Sequence, residues 1–161
     1  MATIILDIDG VLSPSSDDPA LLPSGFSLHS YGEAKAYLNP SLHLDWIENI
    51  ATNSNFVWGS KREEYSNLIF KMLGLNIERP WIPIDGSDVG LGTWKLKTIK
   101  KWVSENLKDD ELLIWVEDEL EPDAYVWAKN RGNTILVCPH LEVGLTSSDL
   151  SLILASIKAG S

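Results

Sequence analysis

Thr3-Ile4-Ile5-Leu6-Asp7-Ile8-Asp9-Gly10 is the stretch on which the fold turns. Its first four residues are β-branched or apolar with no polar alternation, the pattern of a strand buried on both faces, and the run stops at an acidic pair. Gly10 lets the backbone turn sharply behind it. Four further short runs predict strands: Phe56-Val57-Trp58, the weaker Trp81-Ile82-Pro83-Ile84, Leu112 to Val116 and Thr134 to Cys138. Helical spacing fills the intervals. Apolar residues recur on one face over 41–50, over 61–73 with Gly74 as a stop, and over 93–107. Pro122 suits the first turn of a helix to about Asn130, and Ser147-Ser148-Asp149 suits the cap of a last helix to Lys158. Strand and helix alternating at this spacing imply one α/β domain over residues 1–161. Its sheet would be parallel and five-stranded, with helices on both faces. Ligands of such sheets gather beyond the carboxyl ends of the strands. Residues 13–39, rich in Ser, Pro and Asp, are expected to form an irregular flap-like insertion over those ends, with no room for a large cap domain.

Composition narrows the function. In 161 residues, 44% hydrophobic and 22% charged, 13 Lys and Arg face 23 Asp and Glu, a formal charge of −10. That balance excludes a broad electrostatic grip on nucleic acid and docking on an anionic membrane. An anionic substrate stays open, because a metal ion can reverse the sign of a small site. The single Cys138 excludes an internal disulfide and a Cys-built zinc cluster, and fits a reducing compartment. No apolar run approaches the roughly 18 residues of a membrane span, and the N-terminus passes almost directly into the first strand. The expectation is a cytoplasmic protein without a membrane partner.

The chemistry gathers at the predicted strand ends. Asp7 and Asp9 leave the first strand two residues apart, and two carboxylates so close repel unless a cation or a proton intervenes. Gly59-Ser60 follows the second strand with a hydroxyl and free N–H groups, a cradle for phosphate. Trp115-Val116-Glu117-Asp118-Glu119 ends the fourth with another acidic pair. Adjacent parallel strands would bring Asp7, Asp9, Glu117 and Asp118 together, and a hard oxygen-ligated cation such as Mg²⁺ resolves their repulsion.

In this order the motifs resemble those of the haloacid dehalogenase superfamily of Mg²⁺-dependent phosphatases. The first is Ile5-Leu6-Asp7-Ile8-Asp9-Gly10-Val11-Leu12, and the second is Ser60 after the second strand. The third is a lysine at a helix head, Lys95 or, as the less favoured choice, Lys97. The fourth is Glu117-Asp118, one methylene longer than the common Asp-Asp. The resemblance implies a three-layer Rossmann-like fold and a phosphatase mechanism. Asp7 would be the nucleophile, forming an aspartyl-phosphate, and Asp9 the acid and then the base. Asp7, the Asp9 backbone carbonyl, Asp118 and Glu117 would serve Mg²⁺. Ser60, with the Gly59 and Gly10 backbone, would hold the phosphoryl oxygens, and Lys95 would offset charge. Ser60-Lys61-Arg62-Glu63 is similar to the corresponding region of phage-type polynucleotide 3′-phosphatase domains, which implies that Arg62 contacts phosphate. Trp115 to Leu120 and Gly144-Leu145-Thr146 resemble a branch associated with nucleic-acid repair. The implied partner is therefore a phosphorylated substrate, with polynucleotide or nucleotide ends first among the options. Two other readings stand beside it: a non-catalytic binding module on the same fold, and a receiver-type phosphoacceptor domain.

Other features are read as structural. Gly86 to Gly92 lacks the Lys-Ser/Thr of a phosphate-binding P-loop and reads as a flexible lead-in to the Lys95 helix. His29, His43 and His140 have no ligand spacing and are expected in loops or at the surface. Cys138 is expected to be buried, and Lys108 to Glu111 to be a solvated turn. Trp46, Trp102 and Trp127 are expected in the core. Trp58, Trp94 and Trp115 adjoin motif residues and either pack the core or wall the site, with packing favoured.

Overall fold

The computed structural model describes residues 1–84 and 92–160. Among these residues, strands and α-helices follow in chain order: β1 (Thr3–Leu6), β2 (Ser27–Tyr31), β3 (Ala34–Leu38), α1 (Pro40–Asn53), β4 (Asn55–Trp58), α2 (Leu68–Met72), α3 (Leu96–Asn106), β5 (Leu113–Val116), α4 (Pro122–Arg131), β6 (Thr134–Val137) and α5 (Ser147–Ala159). The main sheet is parallel, in the order β4-β1-β5-β6. All four residues of β1 and of β5 are buried, so apolar runs without alternation fold here as two-sided strands.

Successive strand residues feed opposite faces. Ile4, Leu6, Phe56, Trp58, Ile114 and Val116 join Trp46, Ile47 and Ile50 of α1 and Ile153 and Ile157 of α5 in one apolar cluster. Ile5, Val57, Leu113 and Trp115 join Leu96, Ile99 and Val103 of α3 and Ala124 of α4 in another. Helices therefore cover both faces of the sheet.

Among the described residues the sheet has four strands rather than the expected five. At Trp81 the chain makes one parallel bridge, to Trp58, with Trp58 N–H donating to Pro80 O and Ile82 N–H to Trp58 O. Pro80 and Pro83 flank that bridge, and a residue without an N–H cannot extend a ladder. The expected irregular insertion over 13–39 is also corrected, because it contains the antiparallel hairpin β2–β3 turning at Gly32. Ala36 and Leu38 anchor the hairpin in the α1/α5 cluster while most of β2 faces solvent, so no continuous apolar face advertised it.

The helix expected over 61–73 divides into a 3-10 turn at Glu63–Asn67 and the short α2. Glu63 occupies the left-handed region at φ 50°, which an α-helix cannot accommodate. The cap of α5 is Thr146 rather than the Ser147 cluster. Its hydroxyl accepts from Asp149 N–H while the Asp149 carboxylate accepts from Thr146 N–H. Cys138 is exposed, not buried, because β6 ends one residue earlier. His43 is fully buried in α1, not at the surface. The glycine-rich reading falls largely on residues 86–91, outside the described residues. No helix among the described residues is long and apolar enough to cross a membrane.

Candidate active site

The sheet's hydrogen bonds run on past the strand ends and carry the motif residues with them. Asp7 N–H donates to Val116 O at 3.1 Å, Gly59 N–H to Leu6 O at 2.8 Å, and Glu117 N–H to Val137 O at 3.0 Å. Each group thus leaves the rigid sheet at the same edge. Gly59 is needed there for space, since a Cβ would lie 2.5 Å from the Ile5 side chain. After Asp7 the chain folds into a tight turn, with Ile8 O accepting from Val11, Leu12 and Ser13 N–H. Gly10, at φ +82°, lies so close to Asp118 that a Cβ would stand 2.4 Å from its Oδ2.

Asp7, Glu117 and Asp118 each offer a carboxylate oxygen to a group lying within 4.8 Å of one another. Lys95, at the head of α3, enters from the face that Ile5 and Trp115 share. It is 2% exposed, and its Nζ lies 2.6 Å from Glu117 Oε2, 3.3 Å from Asp7 Oδ2 and 2.9 Å from Gly59 O. Three donors thus meet three acceptors, which is how a buried ammonium is tolerated. Lys97 is exposed and borders a separate groove with Ile82, Pro83 and Trp102, so Lys95 is the lysine that reaches the acidic group.

Burial pushes the Asp7 carboxyl up to about 6, against the pull of Lys95. Burial, and then repulsion from Asp7, hold Glu117 well above the ordinary carboxylate range. Burial works to lower the Lys95 ammonium, but Asp7 and Glu117 outweigh it and hold it above its usual value. The pocket thus disfavours a further negative charge on its own carboxyls. Its all-oxygen donors suit a small hard divalent cation, and Lys95 pairs with Glu117 more closely than with Asp7.

Asp9 departs from the expected convergence of four carboxylates. Its side chain turns to Arg62, which grips it with Nε to Oδ2 at 2.9 Å and a terminal nitrogen to Oδ1 at 2.8 Å. The planar guanidinium offers two parallel donors that match one carboxylate, and the bond to Asp9 holds Arg62 above its ordinary range. Three carboxylates therefore meet, and the fourth is clasped beside them by the residue expected to contact phosphate. Ser60 is 1% exposed, and its Oγ accepts from Arg62 N–H at 3.1 Å, which ties the two together.

The cleft over these groups has a volume of about 180 Å³. Trp94 and Lys61 border it, as do Ser15 and Leu141, which sequence reading missed. Ser15 N–H donates to Leu141 O, joining the turn after β1 to the loop after β6. A contact between opposite ends of the chain leaves no local signal. Of the tryptophans beside motif residues, Trp58 and Trp115 are wholly buried core, and Trp94 alone of the three walls the cleft.

A family model described as the HAD domain in Swiss Army Knife RNA repair proteins matches residues 3–150. No curated protein and no solved structure matches the chain.

Proposed function

The chain belongs to the family of HAD domains in Swiss Army Knife RNA repair proteins, and from that premise we propose that it is a Mg²⁺-dependent phosphohydrolase of phosphate monoesters, acting on the phosphorylated ends of polynucleotides. The observation that carries this reading is the buried meeting of Asp7, Glu117 and Asp118 with Lys95 at the carboxyl edge of the sheet. Asp7 and Asp118, with Glu117 behind them, would hold Mg²⁺, which when bound offsets carboxylate and phosphate charge and supplies a Lewis acid.

The chain's own residues carry the reaction in two steps. An Asp7 carboxylate oxygen bonds to phosphorus as the ester P–O bond breaks, and Asp9, once one of its oxygens is released from Arg62 and protonated from solvent, gives that proton to the departing oxygen. Water then bonds to phosphorus, Asp9 takes a proton from it, and the Asp7–phosphorus bond breaks to free inorganic phosphate. Ser60 and neighbouring N–H groups receive the phosphoryl oxygens, and Lys95 balances the charge that remains. Arg62 aims Asp9 and, on releasing one of its oxygens, would meet the incoming phosphate.

The test is phosphate release from an aryl phosphate and from a phosphate-ended oligonucleotide, with and without EDTA, beside Asp7→Asn. Chelation and Asp7→Asn are each expected to remove turnover by at least a thousandfold, about 4 kcal/mol of barrier. Turnover that survives both overturns the proposal. Mg²⁺ binding without turnover of any phosphoester marks a non-catalytic module, and a long-lived phosphoryl-Asp7 marks a receiver-type domain.

A further inference from the structure

Beside the cleft lies a second and larger cavity, of about 490 Å³, that shares Lys61, Trp94, Asp118 and Glu119 with it and continues to Leu120 and Glu121. Its volume is within the roughly 300–1,000 Å³ of small-ligand sites. Trp94 is the aromatic residue common to both. The indole is held at its edge and over its ring: its Nε1–H donates to Glu119, and the Lys61 and Lys95 ammonium groups lie over the ring at 4.5 and 5.2 Å from its centroid. A base that stacks there displaces the exposed Lys61. The backbone before it is stitched to the start of α4. Thr93 N–H and Oγ1–H donate to the Asp123 carboxylate, and Thr93 Oγ1 accepts from Glu121 N–H. A ring fixed in this way loses little entropy when another ring packs on it.

From this we propose that the cavity beyond Trp94 is a nucleoside subsite, in which the base of the terminal nucleotide stacks on the indole while its phosphate occupies the Asp7 cleft. The inference rests on the phosphohydrolase reading and adds to it the identity of the group that leaves. Charge selects the occupant. Asp118, Glu119 and Glu121 against the single Lys61 leave the rim net negative, which disfavours a second phosphate there. A neutral ring bearing hydroxyl and amino donors is not repelled, and rim carboxylates can accept from the ribose hydroxyls. The aromatic face supplies stacking that tolerates any base. The phosphodiester that joins the terminal nucleotide to its chain must then lead away from that rim into solvent.

Equilibrium binding separates this inference from turnover. The Mg²⁺-loaded protein is titrated with the methylenephosphonate analogue of adenosine monophosphate, with ethylphosphonate and with benzylphosphonate. Their P–C bonds cannot be hydrolysed. The adenosine compound is expected to bind about tenfold more tightly than ethylphosphonate. That preference should shrink to within about twofold in Trp94→Ala and largely persist in Trp94→Phe. Equal affinities in the unmutated protein, or a full preference kept by Trp94→Ala, overturn the subsite. Benzylphosphonate binding more tightly than the adenosine compound assigns the cavity to a phosphotyrosine side chain and also overturns it. Absence of phosphate release with the preference intact would defeat the catalytic reading and leave the subsite standing.

Discussion

The Arg62–Asp9 clasp shows what a single side chain contributes here. With Asp9 56% and Arg62 23% exposed at the side chain, the pair is partly solvated and adds under about 1 kcal/mol to folding. Its value is positional: two parallel hydrogen bonds fix the direction of the carboxylate to which the proposed reaction assigns the leaving oxygen. Arg62→Lys keeps the charge but cannot grip both oxygens. It is expected to lower kcat/KM about tenfold while leaving the urea midpoint nearly unchanged, and steady-state kinetics beside an unfolding curve checks both. Asp9 and Arg62 could each be picked from the sequence, one from a strand end and the other from its place after Ser60. Their pairing could not, because it joins residues 53 positions apart that meet only when β1 and β4 lie side by side.

At the scale of the element, α1 carries a buried titratable group. His43 is fully enclosed, packed edge-on to Phe26 at 5.5 Å between centroids. Its Nδ1 accepts from Asn39 N–H at 3.4 Å, and its Nε2 has no partner among the described residues. Burial lowers its pKa from 6.5 to about 4. The unfolded chain therefore binds a proton between those values that the folded chain refuses, and stability is lost as pH falls through that window. The loss should reach about 2 kcal/mol at pH 5 relative to pH 7.5, and His43→Leu should abolish that part of the slope. Urea unfolding at the two pH values measures it. Sequence spacing placed this helix well but not its histidine, because polarity argues for the surface and only the packing of Phe26 and α1 encloses the ring. The strand at Trp81 was over-read for the complementary reason. Its apolar residues suit a sheet, but two prolines withhold the hydrogen bonds that a ladder needs.

For the whole molecule, the charge of −10 is unevenly spent: three of its carboxylates are pressed together at one sheet edge with a single lysine among them. A cation that binds only the folded state must then stabilise it. Millimolar Mg²⁺, compared with EDTA at matched ionic strength, is expected to raise the melting temperature by several degrees, about 2.7 kcal/mol at a hundredfold excess over Kd. Asp118→Asn should remove most of that shift. A shift kept in full would place the ion elsewhere on the acidic surface. The parallel α/β architecture and the meeting of Asp7, Lys95, Glu117 and Asp118 at one edge of the sheet were legible in the sequence. Buried strands, helix faces and strand-end acids are local patterns, and parallel strands deliver their ends to one edge. What only the tertiary structure decided is who meets whom: Lys95 rather than Lys97 among the carboxylates, Asp9 in the grip of Arg62, Trp94 common to two cavities, and the hairpin over 27–38. These depend on distances between residues far apart in the chain, which sheet register and helix packing determine together and which no local pattern encodes.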